Sequence, residues 1–260
     1  MDCMLKMKPL AMPVLIGLFL VAFITATAQS STDVVIVGPV DPSIAVQRIG
    51  TAPGNLSEVR AALLPYKIML TNNTDRDIVG LAVTWMPEGG QPYGVQSESF
   101  GSTTKTPVVP ARGHAILTPD GFQSVDLIQG RVGMMPPDRP HAALEAAYQV
   151  TINVDTVIFD DGLVLGPDKT GLVHSINARA IAIGRVLETV RRATAEGQDI
   201  TAALRGLMPP PGTNFAVMPP DPITNWIIVY TGELVRFPER RDRRVQELRQ
   251  LPTPPTFFHK

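Results

Sequence analysis

At Gly166-Pro167 the spacing of apolar residues changes, and that change limits the chain to a mainly β body followed by helices. From Thr32 to about Ile158 apolar residues recur mostly at every second position, as in strands with one buried face. Past Pro167, Leu172, Ile176, Ala180, Ile183, Leu187 and Val190 recur at spacings of three and four, one stripe of an amphipathic helix. The expected fold is an immunoglobulin-like antiparallel β-sandwich over residues 29–166, followed by a helical appendage. The appendage divides into a helical segment at 167–207, a proline-rich linker at 208–223, and a C-terminal helical segment with a proline-rich tail at 224–260.

Within the β region, Asp33 to Gly38 is a short β-branched run. Tyr66, Ile68 and Leu70 alternate with Lys67, Met69 and Thr71, and Val79, Leu81, Val83 and Trp85 with Gly80, Ala82 and Thr84, about an Asn- and Asp-rich turn at 72–77. The two runs read as adjacent antiparallel strands. Ser57 to Leu64 reads as a strand, since Pro65 would end a helix at once. Glu88 to Arg112 has little periodicity and reads as a long loop, while His114–Leu117 and Gln123–Ile128 read as strands split by Asp120-Gly121. Tyr148, Val150, Ile152 and Val154 share one face, but Val157 and Phe159 are out of phase, so a bulge is expected near Asp155. Asp161-Gly162 suits a hairpin turn into Leu163-Val164-Leu165.

Asp168 is the expected N-cap of the first helix and Gly197 its stop. A short helix is expected over Ile200–Leu207 and another over Thr224–Val235, with Trp226, Ile227 and Tyr230 buried. The last, Glu239–Leu251, has only Val245 and Leu248 as an apolar edge. The 25 prolines gather between and after these pieces, where neither helix interior nor central strand is required.

Residues 1–28 carry an address. Lys6 and Lys8 precede an apolar run from Pro9 to Ile24, and Ala26-Thr27-Ala28 offers a small-x-small cleavage site before Gln29. The 16-residue run is short for a bilayer span of about 20 residues, so a cleaved secretory signal peptide is expected, with export to periplasm, cell surface or medium. Without those residues, which hold Asp2, Lys6 and Lys8, the 23 basic and 24 acidic residues become 21 and 23, a formal charge of −2. That balance gives no footing for nucleic acid, and contact with membrane is expected only through the signal peptide. Cys3, the only cysteine, falls within the signal, so the mature chain can have no disulfide, thiolate metal site or cysteine nucleophile.

Candidate chemistry is sparse. Ser102-Thr-Thr-Lys105, Lys169-Thr-Gly171 and Ser175-Ile-Asn177 match the S-x-x-K, K-T-G and S-x-N patterns of serine β-lactamases and penicillin-binding proteins. That chemistry needs the serine at a helix start with the lysine one turn on, whereas Ser102 lies in a Gly- and Thr-rich stretch and the motif order is wrong. Gly166 to Gly171 has the glycine interval of a P-loop, but Leu172 and Val173 stand where Lys and Ser/Thr are required. His114, His141, His174 and His259 form no ligand pair at helical spacing. Asp155, Asp160, Asp161 and Asp168 are the weak candidates for a Ca²⁺ site, against their ordinary use as turn and cap residues. Arg240, Arg241, Arg243 and Arg244 are the candidate partner-binding residues, against a solvated helix face in which Glu239, Asp242 and Glu247 are interleaved. No catalytic residue or cofactor emerges.

These readings favour a non-enzymatic interaction or structural module of the cell envelope or extracellular space, with an envelope protein or polymer as partner. One alternative is a secreted hydrolase with a site assembled from distant residues, the 88–112 loop serving as lid. Another is a periplasmic chaperone-like sandwich that offers the Asp33–Gly38 strand as an edge to clients.

Overall fold

The structure, a computed structural model, describes residues 33–38, 41–49, 66–104, 106–119, 121–123, 143–144, 146–210, 212–213 and 221–260. The signal-peptide segment 1–28, the strand expected at 57–64 and residues 124–128 lie outside these. Residues 32–260 form one compact unit.

The body consists of two mostly antiparallel sheets with C-terminal helices. Its strands are β1 (Asp33–Val37), β2 (Ile44–Arg48), β3 (Ile68–Asn72), β4 (Ile78–Pro87), β5 (Tyr93–Glu98), β6 (His114–Thr118), β7 (Gly121–Gln123), β8 (Gln149–Phe159), β9 (Leu163–Leu165) and β10 (Phe258–His259). The six-stranded sheet runs β10-β9-β8-β4-β5, and β1 lies parallel to β8 along residues 149–153. The four-stranded sheet runs β2-β3-β6-β7. Ile44, Ile68, Leu70, Ala115 and Leu117 of the smaller sheet share one core with Leu81, Val83, Trp85, Val150, Ile152 and Val157 of the larger. Trp85 is fully buried at the centre and donates its indole N–H to Tyr66 O at 2.9 Å, which removes the cost of burying that donor.

The runs on either side of residues 72–77 do not pair. β3 lies between β2 and β6, and β4 between β5 and β8, so the chain crosses from one sheet to the other. The reason lies in Asn72, a fully buried side chain whose amide donates to Arg76 O at 2.7 Å and Pro110 O at 3.0 Å. Its carbonyl accepts from the Thr74 N–H at 3.1 Å and hydroxyl at 2.7 Å. Those bonds fasten the turn by which the chain passes from one sheet to the other, where adjacent antiparallel strands were expected. A second correction concerns 88–112, which is not all loop. β5 pairs with β4 from Gly80↔Glu98 to Trp85↔Tyr93, yet it gives the core only Val95 and part of Tyr93, so its periodicity is faint.

The bulge falls where the broken phase put it. Ala82 pairs with Thr156 and Val83 with Val154, which leaves Asp155 as the extra residue and returns Val157 and Phe159 to the core side.

After β9 come α1 (Leu172–Ala195), α2 (Ile200–Arg205), α3 (Pro222–Arg236), a 3₁₀ turn at Pro238–Arg240 and α4 (Arg241–Gln250). The first half of α1 lies on the outer face of the six-stranded sheet, where Leu172 and Ile176 pack with Ala82, Ile158, Val164 and Phe100. Its second half joins a separate core, in which Val186 and Val190 meet Leu204, Tyr230, Leu234, Val245 and Leu248. The helices thus pack on the sheets through α1. Of the α3 residues expected to be buried, Ile227 and Tyr230 are, and Trp226 is half-buried.

Candidate functional site

Alternation along each strand divides the outer face of the six-stranded sheet into rows. Val35, Thr151 and Met86 form one row across β1, β8 and β4, and Val37, Asn153 and Thr84 form the next. Beyond the bulge the rows continue with Thr156 and Ala82, then Ile158 and Gly80, and there α1 takes over. One half of this face is covered and the other is open. In the open half Val35 is 36 % exposed, Val37 47 % and Met86 45 %, with Tyr148 just before β8 at 75 %. Apolar groups gathered at one end of a sheet and left to solvent mark an interaction surface more often than chance exposure does.

Asp155 sets the border between the halves. Its carboxylate accepts from Lys169 N (3.1 Å), Thr170 N (2.8 Å), the Thr170 hydroxyl (2.7 Å) and the Thr156 hydroxyl (3.0 Å). The loop that leads into α1 is thereby fastened over the bulge. Burial works to raise the Asp155 pKa, but these donors outweigh it and hold the carboxyl below the usual aspartate value.

Asp168 does not occupy the cap position itself. Gly171 does, with φ 69°, and Asp168 at φ 50° reaches forward to accept from Leu172 N (2.8 Å) and Val173 N (3.2 Å). Asp161 accepts from Leu163 N at 3.0 Å and pairs with Arg76 at 2.9 Å, while Asp160 lies exposed at the hairpin. Three of the four aspartates thus turn their oxygens to N–H and O–H donors, and Asp155 and Asp168 meet only across the Thr156 hydroxyl, which lies 3.0 Å from each. No group of three metal-ligating side chains occurs among the described residues.

The arginine cluster is largely engaged within the helices. Arg241 donates to Leu234 O (3.3 Å) and the Thr201 hydroxyl (2.6 Å), Arg243 pairs with Glu247 (2.9 Å), and Arg244 pairs with Glu233 (3.0 Å) and Glu247 (2.9 Å). Arg240 rests over the Phe237 ring at 5.4 Å and approaches Glu239 at 3.7 Å. Beside it, Val229, Gly232, Glu233, Arg236 and Phe237 line a shallow cavity of about 410 Å³.

Of the lactamase-like trio, Ser102 shares a hydrogen bond with Thr104 at 2.7 Å, and Lys169-Thr170 forms the loop held by Asp155. Lys105 and His141 lie outside the described residues.

Two features escape the sequence reading. One is the open sheet face, whose only trace is that Val34 to Val37 are all β-branched, so that apolar groups point to both sides of one short strand. The other is a buried ion pair between Arg179 of α1 and Glu98 of β5, with Arg179 only 7 % exposed and its guanidinium 5.4 Å from the Trp226 ring. Its second amine, Nη2, is buried without a hydrogen-bond partner among the described residues. No helix among the described residues is long and apolar enough to cross a membrane. No protein-family model matches this chain, and no curated protein or solved structure is detectably similar to it.

Proposed function

We propose that this chain is a non-enzymatic interaction module, exported by its N-terminal segment, that binds an envelope or extracellular protein through the open half of its six-stranded sheet. The single observation that carries this reading is the exposure of Val35, Val37 and Met86 on the part of the outer face that α1 does not cover. The architecture belongs to the same proposal, as an immunoglobulin-like sandwich formed of two mostly antiparallel sheets about Trp85. The chaperone-like alternative differs in its site, offering clients the edge of the Asp33–Gly38 strand in place of the open face.

Cross-linking of the tagged, natively produced protein in its own cells tests the proposal. Wild type is expected to recover a reproducible partner, and Val37→Lys with Met86→Lys to lose it while circular dichroism stays unchanged. An identical set of recovered proteins from both would overturn the surface. The intact mass of the purified protein tests export separately, with a mature chain beginning at Gln29 as the expected result.

A further inference from the structure

The segment that follows α4 reaches the sheet as a tethered peptide. Pro252, Pro254 and Pro255 have no N–H to donate, and residues 252–256 make no hydrogen bond among the described residues. The segment then adds in parallel to the edge of β9, with Phe258 opposite Leu163 and His259 opposite Val164. Phe258 donates its N–H to Gly162 O at 3.0 Å. The seat is shaped to receive it. Thr256 O lies so near Gly162 that a Cβ there would stand 2.3 Å from it, so only glycine admits the approach. Phe257 meets Phe100 edge-on at 6.0 Å, over a cluster that includes Val164, Leu172 and Ile176. A main-chain edge beside a pocket for an alternate side chain is the geometry of recognition by strand addition.

The hold on this seat is slight. Only two residues pair, Phe258 is 50 % exposed, and Lys260 reaches Asp41 through solvent, where an ion pair contributes little. The seat does not depend on its occupant, since β9 is paired with β8 and Phe100 is packed by α1. We propose that the β9 edge and the Phe100 cluster form a binding groove for an extended aromatic peptide of a partner protein, which residues 256–260 occupy as a built-in competitor. The occupant defines the ligand: a main chain that pairs with residues 162–164, and an aromatic ring in the place of Phe257. A short tether keeps its peptide at an effective concentration on the order of millimolar, so weak peptides stay out. A partner strand gains entry by bonding farther along β9, where Leu165 is left unpaired by the present occupant. The groove lies apart from the open face, because β9 pairs with residues 157–158 of β8 and β1 with residues 149–153.

A fluorescent peptide, Pro-Pro-Thr-Phe-Phe-His-Lys, tests this on the full chain. Val164→Cys with His259→Cys, in a Cys3→Ser background, puts thiols on paired residues of adjacent strands, where a disulfide fits. Oxidation locks the groove shut, and reduction frees it. The reduced protein is expected to bind the peptide at least about tenfold more tightly than the oxidised one. Phe257→Ala in the otherwise native chain should likewise bind it at least about tenfold more tightly than wild type, and a peptide with alanine for its first phenylalanine should fail to bind. Equal affinity in the oxidised and reduced forms, or no binding to the reduced form, would overturn the groove. A reduced protein that dimerises and excludes the peptide would overturn the choice of partner, since segments exchanged between copies would then fill the edge. If Phe257→Ala unfolds the chain, the oxidised and reduced forms decide alone. Neither variant alters Val35, Val37 or Met86, so this outcome and that of the capture experiment are independent.

Discussion

Asp155 is a fully buried carboxylate with no cationic partner among the described residues, and four donors make that position tolerable. Replacing it by alanine leaves the Lys169 and Thr170 amides without their acceptor. The expected loss is about 2–3 kcal/mol in denaturant unfolding at neutral pH, with Asp155→Asn in between. Its acidity supplies a second prediction. The folded-state pKa lies below the unfolded value of about 3.9, so the group's contribution is complete above that value and lost as pH falls through the folded one. Wild type should lose stability as pH falls below about 4, and Asp155→Asn should show a shallower decline there. Next to it, Gly166 has φ 94° and a Cβ there would lie 2.0 Å from Asp155 O, so Gly166→Ala should cost at least about 2 kcal/mol. The bulge itself was legible because a β-strand has strict period two, and one extra residue must break the phase between Val154 and Val157. What the carboxylate does was not legible, because its donors come from residues 169–170, across a hairpin and a loop.

Among the elements, α1 was read most fully, since a 24-residue helix about 36 Å long repeats its stripe often enough to be unmistakable. Its start was shifted because Asp168 caps from outside the last turn of the loop, a geometry that residue type alone cannot convey. β3 and β4 were each recognised and wrongly joined. Alternation states that a strand has a buried face but not which neighbour it pairs with, and a buried Asn72 sends the chain to the other sheet. The Arg179–Glu98 pair secures α1 over the covered half of the sheet. Its Nη2 has no hydrogen-bond partner among the described residues, so the pair holds a position at some expense of stability. Arg179→Met alone should cost about 3 kcal/mol by stranding Glu98, and Arg179→Met with Glu98→Gln should recover much of it in urea unfolding. If the double variant is no more stable than the single one, packing against Trp226 is the larger part of the role of Arg179.

At the largest scale, α1 joins the cluster on the outer face of the six-stranded sheet to the helical core, and the tail packs on that outer cluster. Past α4 the chain returns to the sheet, where Phe257 packs edge-on against Phe100 at 6.0 Å and Phe258 N–H bonds Gly162 O at 3.0 Å. The final residue, Lys260, reaches Asp41 at 3.3 Å, just before β2. Deleting 257–260 removes the half-buried Phe257 and the cover on β9, about 2 kcal/mol by area, and should lower Tm by about 5 °C without unfolding the chain. An unchanged Tm would show the tail to be ornamental. Because β10 is held to β9 through only two residues, this cover is the part of the six-stranded sheet most easily lifted, and amide exchange along β9 should register its opening before the central strands β8 and β4 exchange.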